Sequence, residues 1–367
     1  MLKVINIVGA RPNFMKIAPL VRAFGESPVF EQRLVHTGQH YDPGLSDIFF
    51  QELGIPAPDV ALGVGSFPRE EQIAKIEELF EPVLVKEQPD LVLVVGDVNS
   101  TVACARVARK HDVKVAHVEA GLRSFDLRMP EEHNRIATDK ISDFLYVTEQ
   151  AGLENLAREQ VPGRAELVGN VMIDTLVYQL ERARKTTKLS ELGLTPGSYI
   201  VSTFHRPSNV DSRETLEKLL EILELVTSFG SLVLPLHPRT QHSMESFGLA
   251  DRLRGIENLH LTPPLGYLDF IGLVASAKAV VTDSGGIQEE TTYLGIPCLT
   301  MRENTERPVT IDLGSNMLIG SDLNKLRTEL ERIKLGRYKK GAIPPLWDGH
   351  AAERIVRDLA AQLKKRN

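Results

Sequence analysis

The stretch AVVTDSGGIQEE, residues 279–290, contains an apolar run, a polar turn with two adjacent glycines and the start of a helical pattern. Similar apolar runs with a polar end recur along the chain: VINIVG, RLVHTG, LVLVVGD, VKVAHVE, FLYVTE, YIVSTFH, SLVLPLH, NLHLT and IPCLTM. Short, nearly continuous apolar strands separated by amphipathic segments are typical of parallel sheets covered on both faces. The pattern predicts an α/β protein built from two doubly wound, Rossmann-like units in tandem.

The length of the chain also favours two units. Its 367 residues exceed the roughly 250–300 residues at which a single hydrophobic core usually stops growing. Pro162 and Gly163 interrupt the pattern just before a new strand. We expect an N-terminal unit of residues 1–168, joined by 349–367, and a C-terminal unit of 169–348. A cleft between two such domains is the default place to look for a ligand.

Composition excludes several classes of function. The net charge is −6 and the basic residues form no stripe, which argues against a nucleic-acid partner. No stretch approaches the roughly 18 apolar residues of a membrane span. The two cysteines have no zinc-like spacing and indicate a reducing compartment. We expect a cytoplasmic protein without a metal site.

The glycine turn of the opening stretch predicts a diphosphate site. Gly285 and Gly286 allow close approach of the backbone, and the following helix N-terminus offers free N–H groups to an anion. Glu290 lies about one turn further on, at a distance that suits the vicinal hydroxyls of a ribose. Glu289 is expected to face solvent or to support the helix. A nucleoside diphosphate would use both parts of this turn.

The turn after the first strand differs from a dinucleotide site. Its sequence, GARPNFMK, lacks the G-x-G-x-x-G fingerprint, which argues against a nicotinamide cofactor. Arg11 and Lys16 instead place two cations at a helix start, where they suit phosphate charge. The alternative is a solvent-exposed pair without a ligand.

Carboxylates follow three successive α/β junctions of the first unit. Asp97 and Glu119 end apolar strands, and Glu131 and Glu132 follow Pro130 at a helix start. One such residue alone could simply cap a helix. Three in succession favour a cluster facing the cleft, in which close carboxylates divide the roles of general acid and general base. The sequence leaves open which of them is acid and which is base.

Two strands of the second unit end in histidine followed by arginine. These are His205 with Arg206 and His237 with Arg239. Imidazole can protonate a leaving phosphate oxygen and guanidinium can bind it through two hydrogen bonds. A structural role for each histidine is the alternative, and neither spacing suits a metal.

Taken together in their order along the chain, several motifs resemble those of the non-hydrolysing UDP-N-acetylglucosamine 2-epimerases. They are GARPNFMK, HTGQHYD, HVEAGLRSFD, MPEEHNR, VGNVMIDT, TDSGGIQEE and NTERP. The resemblance covers nearly the whole chain. It implies the two-domain GT-B fold, with the C-terminal helix crossing back onto the first domain, and a homodimer.

The resemblance also implies the chemistry. The family removes the C2 proton, eliminates UDP to form a 2-acetamidoglucal and adds both back to give the manno epimer, without a cofactor. The matching acid/base carboxylates are Asp97, Glu119 and Glu131, and His205 matches the histidine that assists UDP departure. The positions expected to contact substrate are Arg11, Lys16, Arg123, Arg135, His237, Phe270, Ser284, Gly285, Gly286, Glu290 and Arg307.

Three positions depart from the family pattern. Val98 replaces a usual threonine, and Tyr41 and Asp42 stand where bacterial members have residues that bind a second UDP-sugar as activator. Activation of that kind is therefore not expected.

Three other functions are alternatives to C2 epimerisation of UDP-N-acetylglucosamine. One is C2 epimerisation of UDP-2,3-diacetamido-2,3-dideoxyglucuronate, because relatives of that specificity share HTGQH, LPLHPRT and RMPEE. Another is a GT-B glycosyltransferase, which needs an acceptor site and has less use for a carboxylate cluster. The last is a non-catalytic nucleotide-sugar sensor, which has no use for acid/base groups.

Overall fold

The computed structural model describes residues 1–39 and 49–364. Within them the chain divides into two compact units, one of residues 1–178 with 345–367 and one of residues 179–344. Residues 169–178 and 345–348, which the sequence interpretation gave to the second unit, thus pack with the first.

The first unit is built on a parallel sheet of seven strands in the order β3-β2-β1-β4-β5-β6-β7. The strands are β1 Leu2–Val8, β2 Phe30–His36, β3 Val60–Ala61, β4 Leu91–Val95, β5 Lys114–Ala120, β6 Phe144–Val147 and β7 Arg164–Leu167. The helices include α1 Arg11–Gly25, α2 Arg69–Glu87, α3 Asn99–Lys110, α4 Pro130–Ile141, α5 Gln150–Arg158, α6 Val171–Ala183 and, at the C-terminal end, α16 Ala351–Lys364.

The second unit has a six-stranded parallel sheet in the order β10-β9-β8-β11-β12-β13. Its strands are β8 Tyr199–Thr203, β9 Ser231–Pro235, β10 Leu259–Thr262, β11 Ala279–Thr282, β12 Cys298–Thr300 and β13 Asn316–Leu318. Its helices include α7 Lys188–Glu191, α8 Pro207–Val210, α9 Arg213–Thr227, α10 Pro238–Ser246, α11 Ala250–Arg254, α12 Tyr267–Ala275, α13 Gly285–Leu294, α14 Val309–Asp312 and α15 Leu323–Lys334.

Burial on both faces explains why the strands are apolar without alternation. In β8, Ile200 packs into one core cluster, whereas Tyr199 and Val201 pack into another. In β11, Val281 belongs to the first cluster and Val280 to the second. Each such side chain contributes about 1.5–3 kcal/mol when it leaves water. Alternate residues of one strand therefore stabilise opposite layers of helices.

Both sheets reverse their strand order at one point, and the reversal positions the candidate site. In the first unit the order reverses between β1 and β4, which pair in parallel from Val4 opposite Leu91. In the second it reverses between β8 and β11, with Ala279 opposite Ile200. Ligands of doubly wound sheets bind beyond the carboxyl ends of strands at such a switch point.

The C-terminal helix is anchored to the first unit by a buried cap. Asp174 in α6 accepts hydrogen bonds from the backbone N–H groups of Ala351 and Ala352, at 3.1 and 2.7 Å. Just before the helix, the indole of Trp347 donates to the carbonyl of Thr148 at 3.0 Å. These bonds satisfy N–H groups that have no partner within the helix.

We expect Gly169→Ala to destabilise the first unit strongly. Gly169 has φ of +89°, and a Cβ there would lie 2.0 Å from the carbonyl oxygen of Leu346. Left-handed backbone costs about 1–2 kcal/mol for a residue with a Cβ, and the clash adds about 1–3 kcal/mol. Chemical denaturation measures the loss.

Gly54→Ala is the matched control for this change. Gly54 also has positive φ, +67°, but no atom of the described residues lies within 4 Å of the Cβ position. Only the backbone cost of about 1–2 kcal/mol should appear. Equal losses in the two variants would contradict the close packing against Leu346.

Candidate active site

The end of β5 carries a strained, buried glutamate. Glu119 has φ of +74°, at a register shift between Val118 and Ala120 in the pairing of β5 with β6. Its carboxylate is only 4% exposed and forms an ion pair with Lys16 of α1. Holding a side-chain residue in left-handed backbone costs about 1–3 kcal/mol, and such strain clusters at functional sites.

The neighbouring turn after β4 lies directly beside this pair. Gly96 has φ of +67°, and a Cβ there would lie 2.7 Å from Lys16 Nζ and 3.6 Å from Glu119 Oε2. The side-chain amide of Asn13 also lies beside this Cβ position, at 3.5 Å, and donates to the carbonyl of Val95 at 3.1 Å. The positive φ favours glycine at this position. The turn places the backbone that precedes Asp97 close to the Glu119 carboxylate.

Asp97 is held by residues of α4. Arg135 Nη2 lies 2.6 Å from Asp97 Oδ2, and the amide of Asn134 donates to the Asp97 carbonyl at 2.9 Å. The other guanidinium nitrogen of Arg135 lies 2.6 Å from Glu132, which is almost fully buried. Arg135 was predicted to contact substrate, and in the structure it holds two carboxylates.

The two glutamates at the start of α4 differ sharply in environment. Glu132 accepts hydrogen bonds from Ser124 N, Ser124 Oγ and Phe125 N, each at 3.0 Å. Glu131, predicted to join the acid/base cluster, is exposed at the same helix start. The structure thus brings Glu119 next to the Asp97 turn and leaves Glu131 accessible to solvent.

Arg123, another predicted substrate contact, is buried among carboxylates. Its guanidinium lies 2.7 Å from Asp139 Oδ2 and donates two bonds of 2.8 Å to Glu159. Although burial of Asp139 opposes its ionisation, the hydrogen bonds and charges of His117 and Arg123 lower the pKa of its carboxyl. Neither His117 nor Asp139 was singled out by sequence.

The first residues of α1 are described in part. Arg11 is the first residue of this helix, but its side chain lies outside what the structure describes. The interpretation of Tyr41 and Asp42 lies outside the described residues as well. Lys16, the other predicted cation of this segment, is 5% exposed and bound to Glu119, so it is no surface lysine.

In the second unit, the glycine turn after β11 lies against a guanidinium. A Cβ on Gly285 would lie 2.9 Å from Arg307 Nη1 and 3.2 Å from Glu306 Oε1. Ser284 is the N-cap residue of α13, with Gly286 in the first turn. A helix N-terminus beside an arginine is a site for a phosphate group.

Arg307 belongs to a buried network of charges. Its Nε lies 2.8 Å from Glu289 and its Nη1 lies 2.9 Å from Glu306, which also binds Arg302 at 2.8 Å. All four side chains are less than 8% exposed. Of the two expectations for Glu289, facing solvent is wrong, because it is buried as the partner of Arg307.

His205, at the end of β8, is oriented by a carboxylate. Its Nδ1 lies 3.0 Å from Asp283, which also accepts from the backbone N–H groups of His205 and Arg206 and from the Asn209 amide. Although burial opposes ionisation, these bonds and the charge of His205 lower the pKa of Asp283. The His205 side chain stays 41% exposed.

The second His/Arg pair differs from the first. The ring of His237 lies 5.6 Å from that of His205 between centroids, and its Nδ1 accepts from the backbone N–H of Arg239 at 3.2 Å. Arg239 is exposed and forms a two-bond pair with Asp211, at 2.7 and 2.5 Å. The structure therefore groups the two histidines and directs Arg239 to the surface.

Glu290, predicted to bind ribose, is nearly fully buried. Burial raises the pKa of its carboxyl to about 8, with an opposing hydrogen bond from Tyr267 and a further increase from the charge of Glu289. Phe270 of the same helix as Tyr267 packs, half-buried, on the cluster that contains Leu265 and Ile287.

We expect the affinity for a UDP-sugar to rise with pH up to about 8. If Glu290 receives the ribose hydroxyls, as predicted from the sequence, their donation favours its ionised form, and binding lowers its pKa from the free value of about 8. Below pH 8 the free carboxyl is protonated and must release its proton when the ligand binds. The affinity therefore falls by up to tenfold for each pH unit below 8. Calorimetry across the range measures both affinity and released protons.

The control for this pH dependence is Glu290→Gln. It should bind more weakly above pH 8 and lose the slope, because the amide does not titrate. A slope that survives in Glu290→Gln would assign the pH dependence to another group.

Two further observations concern ligands and membranes. Across residues 1–39 and 49–364, no group of three or more His, Cys, Asp or Glu is arranged to hold a metal ion. In the same ranges, none of the helices has both the length and the hydropathy needed to cross a bilayer.

Two doubly wound parallel sheets in tandem are the architecture of the GT-B class of nucleotide-sugar enzymes. Residues 22–360 match the profile of the family described as UDP-N-acetylglucosamine 2-epimerase. The chain is 39% identical to the UDP-N-acetylglucosamine 2-epimerase of Methanocaldococcus jannaschii, over 98% of this chain and 99% of the relative. The chain belongs to the UDP-N-acetylglucosamine 2-epimerase family and is an isomerase.

Two further comparisons bear on the ligand. A crystal structure of the M. jannaschii UDP-GlcNAc 2-epimerase in complex with UDP-GlcNAc and UDP has a TM-score of 0.91 and 38% identity, covering 98% of this chain and all of that one. The UDP-2,3-diacetamido-2,3-dideoxy-D-glucuronate 2-epimerase of Pseudomonas aeruginosa is also 38% identical, over 98% of this chain and 99% of the relative. The predictions of family, fold class and C2 epimerisation are confirmed.

Proposed function

We propose that the protein interconverts UDP-N-acetylglucosamine and UDP-N-acetylmannosamine. The observation that carries the proposal is the strained, buried Glu119 beside the turn that presents Asp97. A fold tolerates such strain where a group must be held in one orientation. Family membership supplies the reaction, inversion at C2 of a UDP-linked sugar.

The first unit supplies the acid/base groups in this proposal. One carboxylate removes the proton from C2 as the bond from C1 to the UDP oxygen breaks, and a C1=C2 double bond forms. A proton returned to the opposite face, with UDP restored at C1, gives the manno epimer. Asp97, Glu119 and Glu131 are the groups proposed for these transfers, and the ion pairs of Asp97 and Glu119 with Arg135 and Lys16 keep both carboxylates oriented.

The second unit holds UDP in this proposal. The α13 N-terminus at Ser284, Gly285 and Gly286 and the guanidinium of Arg307 bind the diphosphate. His205, oriented by Asp283, stabilises the charge that develops on the departing phosphate. Glu290 receives the ribose and Phe270 packs on the uracil, while His237 lies next to His205. Arg11 adds positive charge near the sugar or diphosphate, and Arg123 acts by holding Asp139. The reaction needs no cofactor.

The alternative substrate is UDP-2,3-diacetamido-2,3-dideoxyglucuronate. The similarity to the P. aeruginosa enzyme, at 38% identity, is close to that of the N-acetylglucosamine epimerase. NTERP at 304–308 favours N-acetylglucosamine. We further propose that the protein is a cytoplasmic homodimer. Analytical ultracentrifugation would test the number of chains in the assembly.

Incubation with each UDP-sugar in D2O, followed by NMR, tests the proposal. UDP-N-acetylglucosamine should gain deuterium at C2 and form a manno product without any acceptor. Deuterium incorporation at C2 of the diacetamido sugar, but not of UDP-N-acetylglucosamine, would favour the alternative substrate. An unlabelled, unchanged UDP-N-acetylglucosamine after long incubation would contradict the proposal.

A further inference from the structure

A histidine of β5 is buried next to the carboxylate site and binds two acceptors. His117 is 0% exposed. Its Nδ1 lies 2.7 Å from Asp139 Oδ1 and its Nε2 lies 2.8 Å from the carbonyl oxygen of Gly96. A neutral imidazole has one donor and one acceptor nitrogen, whereas the imidazolium has two donors.

Both partners of the ring can only accept. The Gly96 oxygen is a backbone carbonyl, which has no proton to give. Asp139 receives Arg123 at 2.7 Å and the N–H of Gly121 at 3.2 Å in addition to the histidine, a set of donors that suits an ionised carboxylate. In a neutral His117, the ring nitrogen without a proton would direct its lone pair at one of these two buried acceptors. Leaving that hydrogen bond unmade costs about 1–3 kcal/mol.

The bond to Gly96 links this imidazole to the turn that carries Asp97. The Gly96 N–H donates to Val118 O at 3.0 Å, so both backbone groups of Gly96 are bonded to β5. His117 lies two residues before Glu119 in the same strand, β5. One imidazole thus connects the strand of Glu119 with the turn of Asp97.

We propose that His117 is held as an imidazolium at neutral pH and positions the Gly96–Asp97 turn against Glu119. It is a positioning residue, because it acts through Gly96 and touches no reacting atom. The charged groups around it belong to four segments. Asp139 of α4 contacts the ring and Arg123, after β5, contacts Asp139. Lys16 of α1 and Glu119 of β5 lie beside Gly96. The part of the proposal that concerns turnover rests on the proposed epimerase function.

Neutron diffraction of the wild-type protein tests the charge state without any variant. At a pH of about 8 a free imidazole, with its usual pKa near 6.5, is neutral. Deuterium on both Nδ1 and Nε2 of His117 is expected. A single deuterium on the ring would overturn the proposal.

His117→Asn tests the positioning role. Loss of the bond to Gly96 O lets the turn shift, and a displacement of this kind costs about 10²-fold in kcat. KM should change less than about threefold, because UDP is bound by other residues. The acidic limb of the kcat profile should move to higher pH, since a positive charge that favours ionised Asp97 and Glu119 is removed.

His111→Asn is the matched control, because His111 is an exposed histidine of the same unit, 2.6 Å from Glu81. It should leave kcat and the pH profile unchanged. Asp139→Asn should reproduce the kcat loss, and the double variant should lose little more, because both residues act through one network. Wild-type kcat and an unshifted profile in His117→Asn would overturn the role.

Failure of the proposed function would look different. A wild-type protein that exchanges no deuterium at C2 refutes the epimerase proposal and with it the kinetic role of His117. The neutron result stands apart, because it needs no substrate. If His117→Asn does not fold, the neutron map still decides the charge state and Asp139→Asn still tests the positioning role.

Discussion

Asp97→Asn and Glu119→Gln should each suppress deuterium exchange at C2 by about 10²–10⁴-fold, the usual contribution of general acid/base groups. The amides keep the size of the side chains but no longer transfer protons. Glutamine at 119 still offers an oxygen to Lys16, and asparagine at 97 one to Arg135, so the local packing should survive. Exchange is measured by NMR in D2O.

UDP binding separates lost chemistry from lost structure in these variants. Apart from Arg11, the residues proposed to bind UDP belong to the second unit, so the Kd for UDP should stay within about threefold of wild type. Glu81→Gln is the control, since Glu81 is a carboxylate of α2 bound to Lys110 and His111. Near-normal exchange in both active-site variants would mean that the acid/base groups lie elsewhere.

Arg307→Met should weaken UDP binding by at least about 10²-fold and lower the free energy of unfolding of the second unit by about 3–5 kcal/mol. The first effect follows from loss of a desolvated charge beside Gly285. The second follows because Glu289 loses its partner at 2.8 Å in a buried place. Calorimetry measures the first and chemical denaturation the second.

Arg254→Met provides the surface comparison. Arg254 pairs with Asp251 at 2.7 Å, but the two side chains are 63% and 97% exposed, so the loss should be within about 1 kcal/mol. Arg307→Lys should be intermediate, because lysine keeps the charge but not the planar fork. If Arg307→Met binds UDP with unchanged affinity, the diphosphate does not bind beside Arg307.

The fold was predictable because burial on both faces leaves a clear mark. Strands such as β4 and β11 are apolar without alternation, and their polar ends coincide with the switch points of the two sheets. The positions of Asp97 and Ser284, just after β4 and β11, follow from that rule. The family motifs then gave the reaction, which periodicity does not contain.

The contacts of the site were less predictable, because they depend on helix rotation and backbone detail. Adjacent glutamates such as 131 and 132 look alike in sequence, yet only Glu132 is buried. Neither the positive φ of Glu119 nor the fit of Gly96 against Lys16 has a pattern in one sequence. His117 did carry a signal, since it lies two residues before Glu119 on a strand, but buried histidines are usually structural.

The left-handed backbone of Glu119 has a consequence for laboratory evolution. Glycine at 119 relieves about 1–3 kcal/mol of strain. An apolar residue in place of Lys16 then avoids leaving a buried charge without its partner. Selection for thermal tolerance alone would therefore enrich proteins that lack the proposed acid/base group at position 119. A screen that also selects for turnover should therefore yield stabilising substitutions at other positions of the chain.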